Sequence, residues 1–244
     1  MTKLLRIIWI DLRSILRIKA LWIGLIVIGI YTLLIFYATR YSEELKIPNF
    51  YYQIINGLSF YLLLIVPALT LSKDYELKTI RMLYTGIFSK IEIVISKLVS
   101  MVIFYLLFGF THRLSANLLW MMGQNKFSFE LLAYRFWLTT GIYLINGLFI
   151  CLLAFLITLW TYSRWTTLIF MFSIFFFERV LRGILSFMFF NPFMITLLNH
   201  NPFAVSFESL HYSTISYIEL YILLLAALPV GILILTLLNK KEMS

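Results

Sequence analysis

Ionisable residues are scarce in this chain, and the places where they gather show what chemistry it can hold. The densest group is the stretch 72–97, SKDYELKTIRMLYTGIFSKIEIVISK, with Lys73, Asp74, Glu76, Lys78, Arg81, Lys90, Glu92 and Lys97. Through it Leu77, Ile80, Leu83, Tyr84, Ile87, Phe88 and Ile91 recur at steps of three and four, the pattern of a helix with one apolar face. Such a helix either docks, its apolar face in a groove and its rim charges setting orientation, or lies on the headgroups. A second group is Glu178, Arg179 and Arg182. Glu178 and Arg182 are four apart and pair on one helical face, and Arg113 and Arg135 are expected at a similar depth. Two readings of this group stay open: snorkelling with helix-to-helix salt bridges, or the polar lining of an exit pathway.

Catalytic sets are missing. There is no G-x-x-x-x-G-K-[ST] phosphate loop; Gly24 and Gly29 lie in apolar sequence without a following lysine. H-E-x-x-H and G-x-S-x-G are also absent, and neither aspartate, Asp11 or Asp74, lies in an apolar span. The chain therefore lacks the residues to hydrolyse ATP or to cut a peptide. His112, His200 and His211 are far apart in sequence and are expected to be solvated or satisfied rather than metal ligands. Cys151, the single cysteine, stands in an apolar run; it excludes an intrachain disulfide framework and reads as a small buried hydrophobe.

The elements that carry these groups are membrane spans. Hydrophobic residues make up 62% and charged residues 13% of the chain, with a mean hydropathy of +0.94, against about 45–50% and 25% in soluble domains. Long unbroken apolar runs select helices over a β-barrel. The net charge of +9 gathers at the ends of the apolar runs, which suits anionic headgroups and topology signals rather than nucleic acid.

Residues 2–19 read as an interfacial amphipathic helix, with Lys3, Arg6, Arg13 and Arg17 on one face and Leu4, Ile8, Leu12, Ile15 and Ile18 opposite. Six spans follow, at 21–38, 52–71, 97–121, 135–160, 165–189 and 217–238, each long enough to cross about 30 Å of hydrocarbon. No cleavage site marks the first as a signal peptide, so it reads as retained. Pro67 is tolerable in the second span if a neighbouring helix satisfies the carbonyl it frees. The third span is expected to run past Thr111, carrying His112 and Arg113 into the outer half of the membrane. Between the fifth and sixth spans, Asn191-Pro192 and Asn201-Pro202 each halt a helix, which predicts short re-entrant extracellular helices. Of the 20 basic residues, 13 then lie on one side with both termini, the cytoplasmic side by the positive-inside rule.

This order of elements resembles the permease subunits of type-2 ATP-binding-cassette (ABC) exporters. The local match runs Glu76-Leu77-Lys78-Thr79-Ile80-Arg81-Met82-Leu83 and then Ser89-Lys90 through Lys97, with Lys78, Ile87 and Lys90 where that family usually has glycine, proline and arginine. The resemblance implies that 72–96 is a coupling element, with Asp74, Glu76, Lys78, Thr79, Arg81 and Lys90 facing a separate cytoplasmic ATPase that holds ATP and magnesium, and no cofactor in this chain. It implies a second permease copy or paralogue, a bacterial cell membrane, and a pathway along spans one, two and five, with Asn56, Tyr61, Phe176 and Glu178, and Arg113 and Arg179 from the charged group. The aromatic wall suits a hydrophobic or amphipathic cargo, first a peptide such as the antimicrobial and cytolytic peptides, phenol-soluble modulins among them, that Gram-positive permeases of this kind export. Drug, sodium and lipid-linked sugar exporters share the architecture, and a membrane scaffold or sensor without transport is the other class.

Overall fold

The computed structural model describes residues 3–39, 50–76, 90–124, 128–188 and 191–240. These are helical, in the order α1 (Lys3–Leu16), α2 (Lys19–Thr39), α3 (Phe50–Glu76), α4 (Lys90–Gln124), α5 (Phe129–Ala133), α6 (Phe136–Thr161), α7 (Arg164–Met188), α8 (Pro192–Asn199), α9 (Pro202–Tyr212) and α10 (Tyr217–Lys240). Among the described residues five helices are long and apolar enough to cross a membrane, over Lys19–Ala38, Phe50–Lys73, Glu92–Gly123, Phe136–Thr161 and Tyr217–Leu238. α7 has the length, 25 residues or about 37 Å. Glu178, Arg179 and Arg182 interrupt its apolar run, so its crossing does not follow from composition as the others' does.

α6 is apolar on every side, which suits a helix enclosed by others. It sits at the centre, packed most extensively on α4 and then on α10, α3 and α7. The antiparallel α4–α6 seam rests on a reciprocal exchange, with the Tyr105 ring over Gly147 and Tyr143 over Gly109. A β-carbon at Gly109 would stand 2.8 Å from Tyr143 Cβ, an atom that no rotamer change can move aside, so the glycine is what allows this close approach.

Tyr105 also resolves the problem posed by Pro67. Proline has no N–H for the carbonyl four residues before it, here Leu63, yet α3 continues through Pro67. Tyr105 Oη donates to the Leu63 carbonyl at 3.1 Å, so a neighbouring helix does satisfy the freed acceptor.

The periphery is apolar and uncovered. Ile23, Ile26 and Leu34 on α2 and Leu225, Leu228 and Ile232 on α10 are exposed, apolar faces that suit lipid rather than water. Trp160 and Trp165 stand exposed at one end of the bundle, and Trp137 and Tyr217 at the other, the positions of interfacial aromatic belts.

Three expected boundaries can be set against the helices. Of the stretch 72–96, residues 72–76 complete α3 and α4 starts at Lys90, while 77–89 lie outside the described residues. Nothing in 91–96 breaks a helix, and Ile93 and Val94 are already buried. α4 then runs unbroken through His112 and Arg113, the longer of the two courses for the third span. Finally, Asn191 and Asn201 start helices as well as ending them: each is an N-cap before a proline at the first helical position, and Asn201 Oδ1 accepts from Phe203 N at 3.0 Å and Ala204 N at 2.9 Å.

α1 is tied to the first turns of α4. Ile7, Ile8 and Ile15 are buried, Ser100 Oγ donates to the Ile8 carbonyl at 3.3 Å, and Ser96 Oγ donates to Asp11 Oδ2 at 3.1 Å. Asp11, read as a lone acid among bases, lies 3.5 Å from Lys97 Nζ in a largely buried ion pair. Arg6, Arg13 and Arg17 remain exposed.

Candidate functional site

Where α3, α7 and α9 meet, side chains of each enclose a pocket of about 310 Å³. Tyr61 of α3 stacks on Phe172 of α7 with 5.8 Å between ring centroids and 8° between planes. Phe60 meets Phe175 and Phe207 edge-on at 5.3 and 5.0 Å, the electrostatically favoured geometry for such pairs. Phe176, Glu178 and Arg179 complete the wall. Helical spacing explains the convergence, because positions 172, 175, 176 and 179 lie on one stripe of α7.

The two charges at the pocket differ in their ties. Glu178 is engaged by Arg182 Nε at 3.2 Å and by Asn201 Nδ2 at 2.9 Å. Arg182 also pairs with Glu208 of α9, so two acids share one base across α7 and α9. Arg179 stays exposed, with its guanidinium carbon 4.7 Å from the centre of the Phe207 ring, a cation–π contact, and it makes no ion pair among the described residues. His211 stacks on the same ring at 5.8 Å. Burial, reinforced by the Arg179 guanidinium, holds its imidazole below the ordinary histidine value, against the opposing pull of Glu208.

Four of the six residues expected along a pathway, Tyr61, Phe176, Glu178 and Arg179, therefore share one cavity. Asn56 and Arg113 are not part of it. Asn56 is buried and accepts a hydrogen bond from Tyr143 Oη at 2.8 Å. Arg113 is fully buried, with Nε donating to the Tyr134 carbonyl at 3.1 Å and its guanidinium between the Tyr52 and Tyr134 rings at 5.1 and 5.3 Å. Asn117 Nδ2 donates to the carbonyls of Leu132 and Tyr134, so both side chains hold the α5–α6 turn, where Arg135 adopts a left-handed φ of 52°. Arg113 and Arg135 share Tyr134 while Arg179 sits on α7, so the arginines expected at one depth form two groups. This burial is the physical reason that Arg113 belongs to packing rather than to the pocket.

Sequence reasoning missed Phe60, Phe172, Phe207, Asn201 and Glu208 as parts of this site. The only available signal was the i, i+3, i+4, i+7 aromatic stripe of α7; nothing local announces that Glu208 faces Arg182. Of the coupling set, Lys78, Thr79 and Arg81 lie outside the described residues, as do the side chains of Asp74, Glu76 and Lys90. Among the described residues no three His, Cys, Asp or Glu side chains converge as a metal site would require. The pocket can therefore bind but shows no group poised for bond chemistry: rings for an apolar body and one available cation for an anionic group. No protein-family model and no curated protein matches this chain.

Proposed function

We propose that the chain is the transmembrane permease subunit of a type-2 ABC exporter. The observation that carries this reading is the α3–α7–α9 pocket, where an aromatic wall and an exposed guanidinium meet on helices corresponding to spans two and five. In this reading α2, α3, α4, α6, α7 and α10 are six spans of a bacterial plasma membrane, both termini are cytoplasmic, and α8 and α9 dip into the outer leaflet. The ion pairs of Arg182 with Glu178 and Glu208 support α7 as a span, because paired charges avoid much of the cost of entering hydrocarbon.

The segment between the paired ends of α3 and α4 then couples to a cytoplasmic ATPase, which holds ATP and magnesium and supplies the energy this chain has no residues to release. A second copy or a related chain completes the pathway, and ATP-driven closure of the ATPase pair rocks the two bundles so that the pocket opens outward. The cargo is hydrophobic or amphipathic, a peptide in the first instance: apolar side chains lie against Tyr61, Phe172 and Phe176, and an anionic group meets Arg179. Affinity purification from native membranes tests this. The expected result is a stable complex with an ATPase whose turnover, in nanodiscs, rises with an amphipathic cytolytic peptide and loses that rise in Arg179→Gln. A well-folded chain that brings down no ATPase sinks the proposal.

A further inference from the structure

The α3–α7–α9 pocket is small for a peptide. A helix about 10–12 Å across rises about 1.5 Å per residue, so each residue of it fills roughly 120–170 Å³. The pocket's volume of about 310 Å³ therefore holds about two residues of a helical peptide. The apolar face of an amphipathic helix extends over several turns, so the pocket cannot enclose that face. It can enclose an end, or the side chains of one turn.

The charges of the lining decide which part enters. Glu178 is held by Arg182 and Asn201, and Arg182 is shared with Glu208, so the acid in the wall is already satisfied. Arg179 lies exposed on the Phe207 ring and makes no ion pair among the described residues; its guanidinium carries donors and no acceptor. The amino end of a helical peptide brings an ammonium and unpaired N–H donors at the positive pole of the helix dipole, all of which Arg179 opposes. The carboxyl end brings a carboxylate and its last, unpaired carbonyls at the negative pole, acceptors that match the guanidinium fork. An internal acid brings a single carboxylate, and the chain on both sides of it must share a space of about two residues. Tyr61 and Phe176 are exposed at the pocket, so an apolar side chain beside the carboxylate can lie on their rings.

We infer that the pocket captures a peptide by its carboxyl end, with the α-carboxylate on Arg179 and the last side chain, aromatic or large and aliphatic, against Tyr61 and Phe176. This deepens the permease reading and rests on it for the peptide as cargo; capture itself is a property of the pocket and needs no ATPase. The class recognised is then peptides that end in an apolar residue with a free carboxylate. An amidated peptide keeps the apolar side chain, loses the charge and is a poor ligand.

The test is photo-crosslinking of the full chain in nanodiscs with an amphipathic helical peptide ending in a diazirine-bearing leucine, made as the free acid and as the amide. A third probe carries the same leucine at an acetylated amino end, and a fourth beside an internal glutamate with the carboxyl end amidated. The free acid should label α3, α7 and α9 segments around the pocket saturably. The amide should need about fivefold higher concentration or more, the factor that the strongest exposed ion pairs give. In Arg179→Gln the acid and the amide should label equally. Val180→Trp, at an exposed position of the lining, fills the space with Arg179 untouched and should abolish saturable labelling. No saturable labelling by the acid, equal labelling by the amide or the amino-end probe, stronger labelling by the internal-glutamate probe, or an acid preference that survives Arg179→Gln overturns the inference. Each of these leaves the permease reading to its ATPase purification. An acid preference in a chain that brings down no ATPase has the opposite meaning: the permease reading fails and the pocket still binds carboxyl ends.

Discussion

Removing the Tyr105 hydroxyl should destabilise the bundle, and by an amount that depends on a residue in another helix. The hydroxyl donates to the Leu63 carbonyl, which Pro67 leaves without its helical partner, and Tyr105 and Leu63 are each 1% exposed. In Tyr105→Phe no water reaches the orphaned acceptor. An unmade buried acceptor costs about 1–3 kcal/mol, whereas interhelical hydrogen bonds in a membrane protein average about 0.6 kcal/mol and reach about 1.7. The expected cost is therefore about 1–1.5 kcal/mol, near the upper membrane value because the alternative donor is missing. Pro67→Ala restores an N–H four residues beyond Leu63, and in that background Tyr105→Phe should cost about 0.5 kcal/mol or less. The double-mutant cycle, measured by reversible unfolding in bicelles, should give a coupling of about 1 kcal/mol. Equal costs in the two backgrounds would refute the reasoning, since the hydroxyl would then be contributing packing and not relief of the proline.

Gly109→Ala forces a methyl against the fixed Tyr143 Cβ and should cost about 1–3 kcal/mol by overpacking. Gly57→Ala, where nothing lies within 4 Å, should be neutral or slightly stabilising in the same unfolding assay. Arg182→Gln leaves Glu178 and Glu208 without their shared cation and should lower the yield of folded protein on size-exclusion chromatography. Arg179→Gln should leave that yield unchanged while removing peptide-stimulated turnover of the partner ATPase; the reverse pattern would make the cluster purely structural. Charge reversal at Asp74, Glu76 or Arg81 should uncouple ATP hydrolysis from export with the bundle intact, read as retained ATPase activity without peptide release from proteoliposomes.

The five described helices long and apolar enough to cross a membrane were legible in the sequence because hydrophobic length is a local property, which a window of about 20 residues reports directly. The Glu178–Arg182 pair was legible for the same reason, since a spacing of four on one helix is local. Pairings between helices were not. Asp11 and Lys97 are 86 positions apart, and α1 looked like a free headgroup helix until its acid was seen against α4. Arg113, taken for a pathway residue because it is charged and embedded, is held by Tyr134 and two aromatic faces from a turn that no periodicity reveals. His112, expected to be solvated or satisfied, is buried among the Tyr52, Phe108 and Tyr143 rings.

These misses have one cause. In an apolar chain the few polar groups are placed by where their partners lie in space, and hydropathy ranks residues without regard to partners. Burial separates the cases. Arg113 is enclosed with its Nε bonded to the Tyr134 carbonyl, which fits a structural cation that locks the α4–α5–α6 end; Arg179 is exposed on an aromatic face with no ion pair among the described residues, which leaves it available; and His112 is enclosed among the Tyr52, Phe108 and Tyr143 rings, which makes it part of the packing. A membrane protein tolerates the first state as architecture. The second is where an incoming anionic group gains most, because it meets a guanidinium without first breaking an ion pair among the described residues.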